Sequence, residues 1–304
     1  MVTNKYKLDQ EKKFLLIGGS GFIGSNIIIR FLEYKLGKIF NLDSSISQNL
    51  VKTEYADITV PGITKIRSFE PDYIIHLASL SEQETIQKPD FSRKVNISGL
   101  SNTLEELIDY SKLKKFIYLS DYKIYQDIPP FKESSNISAS NEYLRQKIES
   151  EEIIKKYSDE YGIPCLVLRT SNIYGEYARE HNSFIEEAIT SAIQKKEIII
   201  KDNSIYDYLY ISDLIKAIIL SFDNAFNGTL NVGSGLGYSK DNIARYIKDA
   251  LGQDIKIDNI NGTENAQKVY INDITQTKDI LSWNPKTTIQ NGIIETIEYF
   301  KEVL

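Results

Sequence analysis

The stretch Phe14-Leu15-Leu16-Ile17-Gly18-Gly19-Ser20-Gly21-Phe22-Ile23-Gly24 runs from an apolar segment into four glycines and then into an amphipathic segment, 27–32. That order predicts a buried strand, a tight turn and a helix start. Gly19, Gly21 and Gly24 make a G-x-G-x-x-G spacing, and Gly18, Gly21 and Gly24 make a G-x-x-G-x-x-G spacing. In either, the first glycine turns the chain, the middle one lets backbone N–H groups approach a pyrophosphate, and the last packs the helix onto the strand. The start of the helix then offers unpaired N–H groups and a positive dipole end to an anion.

Glycines alone would fit a structural turn equally well. Here a second apolar run, 39–42, ends in Asp43, 19 residues after Gly24, where an acid meets the ribose of a dinucleotide. With a strand before the glycines and a helix after them, the context selects a dinucleotide site. Asp43 would repel a 2′-phosphate, which favours NAD over NADP.

Outward from this stretch, the 304 residues suffice for one large domain or two, and a hydrophobic content of 41% supplies a sizeable core. The polar segment 1–13 lacks the apolar centre of a signal peptide, and no run reaches the 18 or so apolar residues of a membrane span. A cytoplasmic protein is expected. A net charge of −6, with the cations dispersed among acids, argues against nucleic-acid partners. The single cysteine, Cys165, lies in the apolar run 165–168 and reads as core. With two histidines, His76 and His181, no metal centre is expected; His76 reads as a buried structural residue.

After Asp43, apolar runs alternate with longer amphipathic stretches, the pattern of an α/β doubly wound parallel sheet. Strands are expected at 52–56, 73–77, 115–119 and 165–168, and helices at 62–69, 91–111 and 141–161. The second half reads as helices at 183–195, 212–223, 239–251 and from 289, with strands at 198–200, 208–211, 229–232 and 255–257. This organisation suggests a dinucleotide-binding Rossmann domain over 1–170 and a smaller mixed α/β domain over 171–304, mainly for substrate, with segments near 198–234 as candidates to return to the first sheet. Ligands of such sheets lie beyond the carboxyl ends of the strands, which directs attention to 18–24, Asp43, Asp57, 78–81, 120–125 and 171–175.

Tyr143 and Lys147 stand four apart, on one face of the expected helix. An ammonium beside a phenol stabilises the phenolate and lowers its pKa, giving an acid or base for a carbon that gains or loses hydride. The same spacing occurs at Tyr34/Lys38 and Tyr110/Lys114, but those pairs precede strands at the amino end of the sheet. Only Tyr143 begins a helix on the ligand side.

Taken together these residues resemble the extended short-chain dehydrogenase/reductases, specifically the NAD-dependent sugar-nucleotide epimerases and dehydratases. The likeness spans nearly the whole chain: the 18–24 motif, Ala56-Asp57-Ile58, Pro71-Asp72 with His76-Leu77-Ala78, Asn96 with Gly99, Tyr143/Lys147, the 169–175 run Arg-Thr-Ser-Asn-Ile-Tyr-Gly, Asn231-Val232-Gly233-Ser234, and Trp283-Asn284-Pro285. The resemblance implies that Gly18, Gly21, Phe22, Ile23, Gly24 and Asp43 hold the cofactor, with Asp57 and Ile58 at the adenine, Leu77 and Ala78 lining it, and Tyr143 and Lys147 at its nicotinamide end. It implies a sugar contact at Ser81, a phosphate contact at Asn172, and a homodimer formed through the Tyr143 helix and the one before it.

The departures are as informative. Where the family carries a catalytic Ser or Thr, four residues before Tyr125, this chain has Asp121, with Ser120 adjacent. A carboxylate accepts hydrogen bonds but donates none unless protonated. Either Asp121 replaces the hydroxyl or Ser120 serves instead. Tyr122 and Lys123 occupy the positions of the dehydratases' Asp and Glu, which argues against water elimination. Tyr206 stands where the family normally has a phosphate-binding Arg, and Lys268 is the candidate to compensate.

The expected function is an NAD-dependent sugar-nucleotide epimerase working through a keto-sugar, with Tyr143 as acid and base. A keto-sugar reductase or dehydrogenase using NAD(P), and an NAD-binding sensor without turnover, are the alternatives.

Overall fold

The computed structural model describes residues 10–45, 51–178, 183–202, 204–260 and 268–304. The first half alternates strand and helix: β1 (Lys13–Ile17), α1 (Phe22–Glu33), β2 (Lys38–Asp43), β3 (Thr53–Tyr55), α2 (Lys65–Phe69), β4 (Tyr73–His76), α3 (Glu82–Gln87), α4 (Pro89–Arg93), α5 (Leu100–Glu105), β5 (Lys115–Asp121), α6 (Glu142–Tyr161) and β6 (Cys165–Thr170). There follow β7 (Asn172–Tyr174), α7 (Phe184–Lys195), β8 (Glu197–Ile200), β9 (Ile205–Tyr210), α8 (Ile211–Phe222), β10 (Gly228–Val232), β11 (Gly237–Ser239), α9 (Lys240–Leu251), β12 (Lys256–Asn259), β13 (Val269–Tyr270), α10 (Thr275–Leu281) and α11 (Ile289–Val303).

Seven strands form the main sheet in the order β10-β6-β5-β4-β1-β2-β3. The ladders β3-β2, β2-β1, β1-β4 and β4-β5 are parallel. Order 3-2-1-4-5-6 is the doubly wound arrangement with its crevice at the β1/β4 switch, and β10 extends the far edge. Strands covered on both faces must be apolar throughout, and β1, β4 and β5 are buried almost end to end.

Two compact units divide the chain, one comprising Met1–Gln126, Asn136–Arg169 and Ser221–Leu230, the other Asp127–Ser135, Thr170–Leu220 and Asn231–Leu304. In the first, Phe14, Phe31, Tyr73 and Phe222 pack ring against ring at centroid separations from 4.7 to 5.9 Å. Cys165 is buried in the main core, where desolvation pushes its thiol up to about 12. The second unit is built on β9, flanked by β11, β13 and β7, with β8 and β12 as a separate pair.

The helix expected at 91–111 is instead a continuous stretch over 89–105 with a π-helical segment inside it, preceded by a separate short helix. Ser81 and Glu84 close a capping box that starts α3 nine residues before the expected helix, and Pro89 opens α4. A π-helical segment, Lys94–Gly99, then widens the turn before α5. The short strands β7, β11 and β13 were not expected from the sequence, because two to three residues are too few to express a periodicity; the seven-residue helix α10 was not expected either.

Candidate active site

The four glycines of the opening stretch answer different demands. Gly18 has φ +80°, and a Cβ there would lie 2.5 Å from the Ala78 backbone nitrogen. A Cβ on Gly19 would lie 2.4 Å from Asn41 Oδ1, and one on Gly24 would lie 2.4 Å from the Cα of Gly19. Gly21 is the exception: the nearest atom to its Cβ would be the Gly18 carbonyl oxygen, 4.0 Å away. The protein's own atoms leave the side of the chain at Gly21 open.

Gly21 is also the N-cap of α1, a helix with no side-chain cap and no acid in its first turn. By contrast α6, α7, α9 and α11 are capped by Asn141, Ser183, Ser239 and Thr288. Uncapped first-turn N–H groups beside an open glycine suit a bound pyrophosphate, so this loop fits a dinucleotide. Phe22 and Ile23, half-buried, begin the same helix.

Asn41, which sequence reasoning passed over, fixes the loop from β2. Its buried Oδ1 accepts from the Gly19 N–H at 2.9 Å, and its Nδ2 donates to Ser20 Oγ and Thr53 Oγ1, each at 3.2 Å. A polar residue inside an apolar strand was the available signal. Asp43 accepts from the Ser20 N–H at 2.9 Å through one oxygen and from Ser45 through the other. A carboxylate has about four acceptor positions, so about one remains for a ribose hydroxyl.

Beyond β3, the Asp57 carboxylate closes a turn by accepting from the Thr59 N–H and hydroxyl. Ile58 is buried against Gly99, where any Cβ would lie 2.5 Å from it. After β4, the N–H groups of Leu77 and Ala78 both donate to the Ile17 carbonyl at 2.8 Å, tying that loop to the end of β1. Asn96, set by the π-helical segment, accepts from the Leu80 N–H and donates to Gln146 Oε1, each at 2.8 Å. Ser81 is exposed, and its hydroxyl is engaged with Glu84 in the capping box.

Asn141 caps α6 through the Leu144 N–H at 2.9 Å and donates to Glu82 at 2.7 Å, which fixes Tyr143 in the helix's first turn. Tyr143 is half-buried, with dense protein around its phenol. Burial raises its phenol well above the ordinary value, and the charges of Asp121, Tyr118 and Glu82 add to the effect. Asp121, at the end of β5, stands within hydrogen-bonding reach of the phenol and accepts from the Lys123 N–H at 2.8 Å. Ser120 beside it is buried.

Lys147 is almost fully buried. Its ammonium donates to the Leu119 carbonyl at 3.0 Å and the Tyr118 hydroxyl at 3.3 Å, and lies 5.6 Å from the centre of the Tyr143 ring. The sequence predicted a lysine that lowers the tyrosine's pKa. In this structure the lysine's donors point to β5, and desolvation with the carboxylate of Asp121 dominates, so the phenol is raised instead. His76 is buried nearby and held neutral, pushed down to about 3 by burial and by the charge of Lys147. Among the described residues no three His, Cys, Asp or Glu side chains gather as a metal would require, and no helix is long and apolar enough to cross a membrane; His181 lies outside those residues.

The second unit collects its predicted residues around β9. Asn172 on β7 pairs in register with Tyr208, and Tyr206 stacks on Tyr270 with centroids 5.5 Å apart and planes 5° from parallel. Lys240 lies 5.7 Å from the centre of the Tyr206 ring and pairs with Asp202. Lys268 is exposed, and its carbonyl accepts from the Ile205 N–H at the start of β9. Asp207, unnoticed in the sequence, is buried and accepts from the N–H groups of Ser234 and Gly235 and from the Ser234 hydroxyl, shaping the 233–235 turn.

Comparison with known proteins agrees with this arrangement. The chain is 28% identical over 305 residues to a putative UDP-glucose 4-epimerase of Methanocaldococcus jannaschii, covering 94% of this chain and 98% of the relative. It is 27% identical over 339 residues to a dTDP-glucose 4,6-dehydratase of Escherichia coli, covering 95% and 93%. The crystal structure of a UDP-glucose 4-epimerase with UDP-glucose, from Thermotoga maritima, superposes with a TM-score of 0.87 at 25% identity, covering 96% of this chain and 99% of that one. Residues 14–233 match the NAD dependent epimerase/dehydratase family. The chain belongs to that family and is an NAD-dependent enzyme of the extended short-chain dehydrogenase type.

Proposed function

We propose that the protein is a sugar-nucleotide epimerase that oxidises a carbinol carbon of its substrate, holds the keto-sugar, and reduces it from the opposite face. The observation that carries this reading is the Tyr143 phenol in the first turn of α6, with the Lys147 ammonium 5.6 Å from its ring and Asp121 in hydrogen-bonding reach.

Residues 18–24 and Asp43 would hold the pyrophosphate and adenosine ribose of NAD, Asp57 and Ile58 its adenine, and Leu77, Ala78 and Lys147 its nicotinamide half. When bound, NAD supplies the hydride acceptor and later donor. Tyr143 takes the proton from the substrate hydroxyl as the carbonyl forms and returns it when the carbonyl is reduced. Lys147 offsets the phenolate charge that Tyr143 carries before the first transfer and again after the second. Asp121 or Ser120 orients the hydroxyl. Asn172, Tyr206 and Lys268 would contact the nucleotide end, within a substrate-binding part spanning most of 171–304.

Epimerisation is favoured over dehydration because elimination needs an acid and a base beside the sugar. Position 122 carries a buried tyrosine and position 123 a lysine. The acidic Asp43 favours NAD, which suits a cycle that regenerates its cofactor. A second reading, a keto-sugar reductase, draws on the raised Tyr143 phenol: a tyrosine held protonated is ready to donate to a carbonyl oxygen. The family likeness supports a homodimer pairing through α6 and the helix before it. Incubation with a panel of nucleoside-diphosphate sugars tests the reading. An epimerase inverts one carbon with no net NADH, whereas a dehydrogenase accumulates NADH in proportion to product.

A further inference from the structure

One ammonium in this site lies near the rings of two tyrosines and hydrogen-bonds one of them. Lys147 reaches from α6 to β5, where its donors meet the Leu119 carbonyl at 3.0 Å and the Tyr118 hydroxyl at 3.3 Å. It lies 4.9 Å from the centre of the Tyr118 ring and 5.6 Å from that of Tyr143. Tyr118 is buried in the middle of β5, in register with His76 on β4, and their ring centres are 6.1 Å apart. An ammonium has three donors, and two are committed to β5 atoms.

We infer that Tyr118 is a positioning residue: its hydroxyl holds the Lys147 ammonium toward β5 and thereby limits how far that charge supports the Tyr143 phenolate during turnover. The inference rests on the reading of Tyr143 as the acid and base. The groups facing Tyr143 are Asp121 and Tyr118 from β5, Glu82 from α3 and Lys147 from its own helix, with His76 neutral behind Lys147. Of these only Lys147 is cationic, so its position sets the one favourable charge. With the Tyr118 oxygen removed, the freed donor has the Tyr143 oxygen as a partner that carries full charge in the reaction. Charge-assisted hydrogen bonds are the stronger kind, and the ammonium follows.

Tyr118→Phe keeps the ring and removes only the oxygen. The expected result is an acid limb of the kcat/KM profile moved to lower pH by on the order of one unit, the shift an approaching opposite charge produces. A merely structural role would lower activity at all pH values without moving the limb, and a limb that stays or moves upward overturns the inference. A measurement without substrate separates this from failure of the epimerase reading. Protein labelled with 13C at tyrosine Cζ, with Tyr143→Phe used to assign the resonance, reports the phenol directly. Tyr143 should begin to ionise at lower pH in Tyr118→Phe than in the unmodified protein, and an unchanged titration in a variant with unchanged thermal unfolding overturns the inference whatever the catalytic activity.

Discussion

A Cβ built on Gly24 would lie 2.4 Å from the Cα of Gly19, whereas one built on Gly21 would meet nothing nearer than a carbonyl oxygen at 4.0 Å. The two glycines of one motif therefore serve different ends, the first the packing of α1 on the loop and the second the room for a ligand. Gly24→Ala should destabilise the fold by roughly 1–3 kcal/mol, the cost of overpacking a rigid backbone contact. Gly21→Ala should unfold at nearly the wild-type temperature yet lose NAD affinity. Thermal unfolding and NAD titration of both variants check this; equal loss of stability in the two would refute the division.

Asp121 contributes to the raised Tyr143 phenol, after burial. Replacing it with serine keeps a side chain able to cap the 122–124 turn but removes the charge, so the acid limb of the pH–rate profile should move down. Ser120→Ala should leave that limb in place. Comparison of the two profiles identifies which side chain faces the chemistry, and an unaffected Asp121→Ser enzyme removes Asp121 from the site.

Arg169 and Glu151 form a buried pair at 2.6 Å, and the guanidinium also donates to the Tyr125 hydroxyl at 2.8 Å. Removing one partner strands the other charge, which costs about 3–5 kcal/mol. Arg169→Met should therefore destabilise strongly, and the double variant Arg169→Met/Glu151→Leu should recover much of the loss. Denaturant unfolding measures both. A double variant as unstable as the single one would contradict the account.

Glu186 is buried near the start of α7, accepting from the Gly175 N–H at 3.3 Å and from the Ser183 hydroxyl. Burial raises its carboxyl to about 7. A carboxyl raised on folding binds more protons in the folded state, so stability falls as pH rises from the ordinary carboxylate range to about 7, and levels above it. In Glu186→Gln this part of the decline should vanish. Melting temperatures between pH 5 and 8 test it; an identical decline in the variant rejects Glu186 as its source.

The central sheet was legible in the sequence because strands buried on both faces must be apolar along their length, and β1, β2, β4, β5 and β6 announce themselves that way. The glycine loop was legible because its spacing is dictated by backbone contacts. The helix pieces between residues 82 and 105 were not, since a capping box and a π turn interrupt one amphipathic pattern without erasing it. Asn41 and Asp207 escaped notice because each looks like a stray polar residue until the backbone N–H groups it serves are seen. The direction of the Tyr143 shift was beyond the sequence as well: a spacing of four puts Lys147 on the tyrosine's face of α6, but the acceptors on β5 decide where its ammonium points.

On the proposed reading, Tyr143 moves a proton on and off a sugar hydroxyl while the cofactor returns unchanged. The most direct test follows a panel of nucleoside-diphosphate sugars by NMR, with absorbance at the NADH band, for the wild-type protein and Tyr143→Phe. The expected result is inversion at one carbon without net NADH, and loss of that inversion in a Tyr143→Phe protein that still binds NAD. Full activity in Tyr143→Phe, or NADH accumulating in step with product, would contradict it.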